Sequence, residues 1–286
     1  MPVTVDRRPH RPFAPMLARE AVRAFDHPGF LFEVKWDGHR ALLERDGAGA
    51  VHLWGRSGRD LGLGLPALTR SLAEELHTPC LLDGEIVALN EGTSDRARLT
   101  RRQEPIVYVA FDLLRWREEN LLELPLRERR ARLADRVPGA DRLLRSEGVV
   151  GSGHAYFQAI RTLGLEGMMA KDLRSPYRPG TRTCAWLKVL HLEEGTFAVV
   201  AVEGGRDDGA STLWLADEHG RTVARVGGVP APDARAVRAR AEPRPTGMGP
   251  LPVRPGVSCR VRYRARLANG RLRHPLYAGL EPFSSA

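Results

Sequence analysis

Apolar positions in the first two-thirds of the chain alternate between strand-like and helical spacing. Residues 30–35, 40–44 and 51–54 read as strands, and the first two are expected to form a hairpin around the Asp37-Gly38 turn. Leu65, Leu68, Leu72 and Leu76 recur at helical intervals and predict a helix over 65–76. Residues 80–89 and 106–114 are aliphatic runs of strand length, 126–134 and 153–163 return to helical spacing, and 167–171 and 186–189 are short strands. Between them, 90–104 is polar and charged and reads as a mobile connection.

Around 191–195 the pattern changes. Short strands are expected at 196–203, 211–216 and 222–226, then an Ala/Arg-rich helix at 232–241 and a Gly/Pro-rich stretch. A long hairpin over 257–267 and 271–273, turning at Asn269-Gly270, closes the chain. Short strands with one inserted helix suggest a small barrel of the oligonucleotide-binding (OB) kind. The expected fold class is therefore α+β in two domains: residues 1–192, antiparallel sheets with flanking helices, and residues 193–286, an OB-fold β-barrel. Residues 1–12 are Pro/Arg/His-rich without an apolar signal core and read as a disordered lead-in.

Composition narrows the function classes. No run approaches the ~20 apolar residues of a membrane span, and no membrane partner is expected. The three cysteines are far apart, show no metal-ligand spacing and leave one over in any pairing scheme, which suits a reducing cytoplasm. The net charge of +9 favours a polyanionic partner, though solvated arginine surfaces give the same number. Most of that excess lies after residue 195, where 14 Arg face 8 acids. Arg260, Arg262, Arg264 and Arg266 recur at period two, so one face of a strand would carry all of them toward a phosphate backbone. An ordinary solvated face is the competing reading.

Lysine is rarer still. Of 44 Lys and Arg, only Lys35, Lys171 and Lys188 are lysines. Arginine can stand in wherever a solvated charge suffices, but guanidinium does not give up its proton to become a nucleophile. Lys35 ends an apolar strand before the Asp37-Gly38 turn, where a half-buried amine can attack a carbonyl or phosphorus. Glu85 and Glu166 lie at strand edges and could share a hard cation such as Mg²⁺, which bridges phosphates. No Walker-type loop is present, so phosphoryl or nucleotidyl transfer through a lysine is the reading that fits.

Lys35-x-Asp37-Gly38-x-Arg40 resembles the signature of the covalent nucleotidyltransferases: ATP-dependent DNA ligases, RNA ligases and mRNA-capping enzymes. Arg56-Ser57-Gly58-x-Asp60, Asp83-Gly84-Glu85, Ala110-Phe111-Asp112-Leu113-Leu114, Glu166-Gly167-x-x-x-Lys171 and Trp186-Leu187-Lys188-Val189 follow in the family's order. Ser175-Pro176-Tyr177-Arg178 and Leu272-Arg273-His274-Pro275 are most similar to bacterial end-joining DNA ligases. The resemblance implies an adenylation domain followed by the barrel, with ATP and Mg²⁺ or Mn²⁺ as cofactors. It implies that Lys35 takes AMP, passes it to a 5′-phosphate at a nick, and that the 3′-hydroxyl displaces it. Glu33 and Val34 would flank the adenine and Phe111 would stack on it. Arg40 and Arg56 would meet ribose or phosphates, Glu85 and Glu166 the metal, and Lys171 and Lys188 the α-phosphate. Nicked double-stranded DNA is the implied substrate, gripped without base readout by a monomer in the bacterial cytosol, with end-joining or repair proteins as partners.

Three departures bear on activity. Leu190 stands where the family has a second lysine, 281–286 lacks the family's basic R-x-D-K-like tail, and 94–103 lacks its aromatic and glutamine. A slow first step is expected. A catalytically impaired nick- or end-binding module and an RNA-joining enzyme are the alternatives. Phe111 as core, Glu85 paired with an arginine and Trp186 as packing remain open, and His39, His154 and His274 carry no assigned chemistry.

Overall fold

The structure, a computed structural model, describes residues 13–21, 23–90, 93–137, 139–204, 211–243, 249–267 and 269–282. The expected lead-in at 1–12 lies outside the described residues, as do residues 283–286. The chain divides into two compact units, Met1–Leu190 and His191–Ala286. It is mostly β, with few helices.

The first unit holds two sheets. One has the order β1 (Leu17–Glu20), β12 (Arg182–Leu190), β11 (Gly167–Asp172), β2 (His27–Val34), β10 (Gly148–Gly151). The other runs β4 (Val51–Gly55), β3 (His39–Arg45), β5 (Cys80–Asn90), β7 (Ile106–Trp116), β8 (Glu119–Asn120), with β6 (Thr93–Ser94) on β5 and β9 (Leu143–Arg145) on β7. Pairing is antiparallel except between β1 and β12 and between β7 and β9.

Period two decides what each strand face buries. Leu43, Leu82, Ile86, Tyr108 and Ala110 face a core closed by α1 (Pro66–Glu75) and α3 (Leu126–Arg136), which supply Leu68, Leu72 and Leu133. Phe32, Met168, Ala170 and Val189 form the outer core of the first sheet beneath α4 (Gly153–Thr162). Between the sheets lies a third cluster of Met16, Leu42, Trp54, Leu81, Leu114, Tyr177 and Trp186. The strand positions opposite the first two cores must face one another across the remaining space. They are Glu33 on β2, Arg40 on β3, Glu85 on β5, Lys171 on β11, and Trp186 and Lys188 on β12.

Two expectations fail here. The strands flanking Asp37-Gly38 do not form a hairpin: β2 and β3 belong to different sheets, so Lys35 to Gly38 crosses between them. Turn chemistry alone cannot distinguish a hairpin from a crossing, because both reverse or redirect the chain within a few residues. The polar segment 90–104 is also more ordered than expected. It contains β6 and α2 (Arg96–Thr100), whose N-cap Asp95 accepts from Ala97 N at 2.8 Å and Arg98 N at 3.1 Å.

In the second unit the sheet runs β15 (Thr222–Val229), β14 (Ser211–Ala216), β13 (Glu193–Glu203), β17 (Ser258–Tyr263), β20 (Leu276–Leu280), with β16 (Leu251–Pro252) on β13. Its core takes Phe197, Val199, Leu213, Leu215, Val226, Val261 and, from α5 (Ala231–Arg238), Val237. The single long hairpin is corrected: β17 ends at Tyr263, the chain bends at Arg264, and β18 (Ala265–Arg266) pairs with β19 (Leu272–Arg273) in a separate sheet. Arg260 and Arg262 are exposed between the buried Cys259, Val261 and Tyr263, as period two requires. The four-arginine row is broken at the bend. Arg260 is paired with Glu281 at 3.0 Å and Glu194 at 3.9 Å, and Arg266 sits 5.5 Å from the Phe197 ring centre.

Candidate active site

A cleft of about 600 Å³ opens between the two sheets of the first unit. Glu33, Val34, Lys35, Arg40, Arg56, Glu85, Phe111, Lys171 and Lys188 all line it. Glu166 completes the set through contact with the Lys35 amine. The sequence-predicted residues of this unit therefore converge on one place.

The nucleophile candidate is held from both sides. Lys35 N donates to Gly167 O at 2.9 Å, and its side chain, 23% exposed, forms an ion pair with Glu166, which is 6% exposed. Trp36 Nε1 donates to Ser146 Oγ at 3.2 Å. Ser146 lies between β9 and β10, where the chain crosses between the sheets a second time, so the two crossings are tied side by side. At Gly38 only hydrogen fits, since a Cβ would stand 2.1 Å from Ile86 O.

Glu85 pairs in register with Arg40 across β3 and β5. Burial pushes its carboxyl up to about 7; Arg40 and Lys35 pull it down, while Glu166 and Asp83 add to the rise. Arg40 does not neutralise it directly, because its guanidinium is taken by Asp83, with Nε to Oδ1 at 2.9 Å and Nη2 to Oδ2 at 2.5 Å. The Tyr177 hydroxyl also donates to Asp83, at 2.7 Å. Asp83, fully buried, thus absorbs the arginine that was the competing partner for Glu85. Two carboxylates beside one amine are a hard, oxygen-only donor set that fits Mg²⁺ or Mn²⁺. Among the described residues no group of three or more His, Cys, Asp or Glu could hold a metal, so the fit is to an ion that keeps waters and shares substrate oxygens.

A carboxylate desolvated without a dedicated cation weakens the fold once it ionises. Its folded pKa lies above the unfolded value, so stability falls as pH rises through about 7. Glu85→Gln is therefore expected to raise the thermal midpoint by roughly 2–6 °C at pH 8 and hardly at all at pH 5. Equal shifts at both pH values in metal-free melts would contradict it.

At the other end of the cleft, Lys171 and Glu33 form an ion pair at 2.5 Å with both side chains almost wholly buried. Burial lowers the Lys171 pKa, and Glu33 opposes the shift. The Lys171 amine stands 4.0 Å from the Phe111 ring centre and 4.4 Å from that of Trp186. Phe111 is only partly buried and lines the cleft while packing on the inter-sheet cluster, and Trp186, at 1% exposure, also lines the cleft from within that cluster. Lys188 pairs with Glu20 at 3.0 Å.

Several residues were missed. Arg130 approaches Glu33 at 3.3 Å, donates to Phe111 O at 3.1 Å and also donates to Ser146 O. Its neighbour Arg129 grips Asp112 with two 2.8 Å bonds, both side chains fully buried. No local signal marks either arginine, because helix packing brings them there. Arg182 and Asp83 were legible: Arg182 shares parity with Trp186 and Lys188, and Asp83 with Glu85.

A family model described as the ATP dependent DNA ligase domain matches residues 15–189. The chain belongs to the ATP-dependent DNA ligase family. This ligase-family chain is 32% identical to the multifunctional non-homologous end joining protein LigD of Mycolicibacterium smegmatis, over 97% of its own length and 40% of that relative's. DNA ligase C1 of the same species is 34% identical over 63% of the chain and 57% of the relative. The chain thus spans well under two-thirds of these relatives. The crystal structure of the ligase domain of M. tuberculosis LigD matches with a TM-score of 0.61 at 30% identity, covering 94% of this chain and 95% of that one. A mycobacterial DNA ligase D complexed with ATP and MES gives 0.60 at 29%.

Proposed function

We propose that this chain seals nicks in duplex DNA with ATP, through AMP carried on Lys35. The convergence of the Lys35 amine with Glu166 and Glu85 in one cleft carries this reading. Lys35 Nζ, having lost a proton, attacks the α-phosphorus. A P–N bond forms, the bond to the bridging oxygen breaks and pyrophosphate leaves. A 5′-phosphate oxygen at the nick then takes the AMP from Lys35, and the 3′-hydroxyl displaces AMP to close the strand.

On this reading Glu33, Val34 and Phe111, which line the cleft, would bound the adenine. Arg56, and Arg40 from its bond to Asp83, would meet ribose or phosphates, and Lys171 and Lys188 would face the α-phosphate. Glu85 and Glu166 would hold Mg²⁺ or Mn²⁺, which when bound supplies positive charge against the developing phosphate oxygens. The second unit, read as an OB-type barrel, offers Arg262, Arg264 and Arg266, with Arg260 shared with its glutamates, to the duplex backbone. Its value there is independent of sequence, as nick sealing demands. We also place the chain, as a monomer, in bacterial cytosol and in end joining, in keeping with the names of its relatives.

The test is a duplex with one 5′-phosphorylated nick, ATP and Mg²⁺ or Mn²⁺. Sealed product with all-DNA strands is expected. Tight nick binding without AMP transfer under either metal, or sealing confined to RNA strands, would overturn the reading.

A further inference from the structure

The link from Lys35 to Gly38 is anchored on its first sheet by the bond from Lys35 N to Gly167 O. Its far side is held by the segment that was expected to be mobile. Asp37 N donates to Ser94 Oγ at 3.0 Å, and Arg96 Nη1 donates to Gly38 O at 2.7 Å. The same nitrogen stands 3.8 Å from Asp37 Oδ1. Between the two gripping residues, Asp95 caps α2 through Ala97 N and Arg98 N, which fixes the backbone that presents them. Three consecutive residues thus hold one helix start and one turn together. The first and last of them act on the turn that carries the amine.

We infer that Ser94 and Arg96 are positioning residues for the Lys35 amine, closing a hook over the Asp37-Gly38 turn. The inference rests on the lysyl-AMP reading. Arg96 lines the cleft, yet it acts here through Gly38 and Asp37 and not by touching phosphorus. Without the hook, the crossing keeps the Lys35 bond to Gly167, the Trp36 bond to Ser146 and the β3 pairing that begins at His39, but the Asp37-Gly38 turn itself loses both side-chain bonds. A displacement of about 1 Å at a reacting atom is enough to cost about 10²-fold.

The test uses the full chain and reads separate steps. Arg96→Ala and Ser94→Ala are each expected to speed amide exchange at Asp37 and Gly38 by about tenfold. They should slow Lys35 adenylation by roughly 10- to 100-fold with the KM for ATP unchanged. Joining of a nick that already carries AMP does not use the lysine as nucleophile and should stay within about twofold of the parent. Arg96→Lys, which restores one donor to Gly38 O, should recover most of the first step. Unchanged exchange, equal loss in both steps, or a higher KM for ATP at an unchanged maximal rate would overturn the hook. A parent protein that never takes AMP would instead bring down the lysyl-AMP reading, a result distinguishable because the exchange arm is read without ATP.

Discussion

Lys35→Ala is expected to abolish AMP labelling of the protein, with a loss on the order of 10⁴-fold or more in the first step. The other two lysines are engaged differently: Lys171 is buried against Glu33 at 2.5 Å, and Lys188, which lines the cleft from another strand, is paired with Glu20 at 3.0 Å. Lys35→Arg should be equally inactive while keeping a cation beside Glu166, because guanidinium stays protonated. Both variants should still join a nick that already bears AMP, which separates a missing nucleophile from a collapsed cleft. α-Labelled ATP with denaturing gels reads the first result, and sealing of the adenylated nick reads the second. Label retained by Lys35→Ala would move the nucleophile elsewhere.

Arg129→Met destabilises the fold by about 3–5 kcal/mol, since it strands a buried carboxylate. Asp112 has no water to turn to: both partners are fully buried, and Arg129 also donates to Leu124 O at 2.5 Å and Ser175 O at 3.1 Å. Replacing both partners with apolar residues of similar size should cost much less, because no charge is then left behind. Urea unfolding of the single and double variants measures the coupling. Equal destabilisation in the two would show that the cost does not come from the stranded carboxylate. As Asp112 directly follows Phe111, the single variant should also weaken ATP binding at temperatures where it remains folded.

The strands and helices of the first unit were largely legible, because β5 and β7 are buried on both faces and α1 carries a clean leucine stripe. Glu85 and Glu166 were read at strand edges, and Glu33, Lys171 and Lys188 took their roles from the resemblance to the nucleotidyltransferases. What the strand pattern could not give was which surfaces meet. The crossing of Lys35 to Gly38 between sheets is a long-range fact, settled by the pairing of β2 with β11 and of β3 with β5. The order of 93–100 was hidden because its stabilising partners, Gly38 and Asp37, lie far away in sequence. The arginine row misled for a simpler reason. Period two holds only while a strand runs straight, and the bend at Arg264 ends it.

Because the chain passes between the sheets at Lys35 and again at Ser146, a bound nucleotide would be a splint across two halves that otherwise meet through an apolar cluster and a few polar bonds such as Arg130 to Glu33 and Tyr177 to Asp83. Free ATP at about 100 times its dissociation constant would add about 2.7 kcal/mol to stability by mass action. AMP bonded to the lysine needs no such excess. The charged enzyme should therefore resist proteolysis after dialysis, whereas the empty enzyme should be cut, leaving a record of the first chemical step in the mechanical firmness of the molecule.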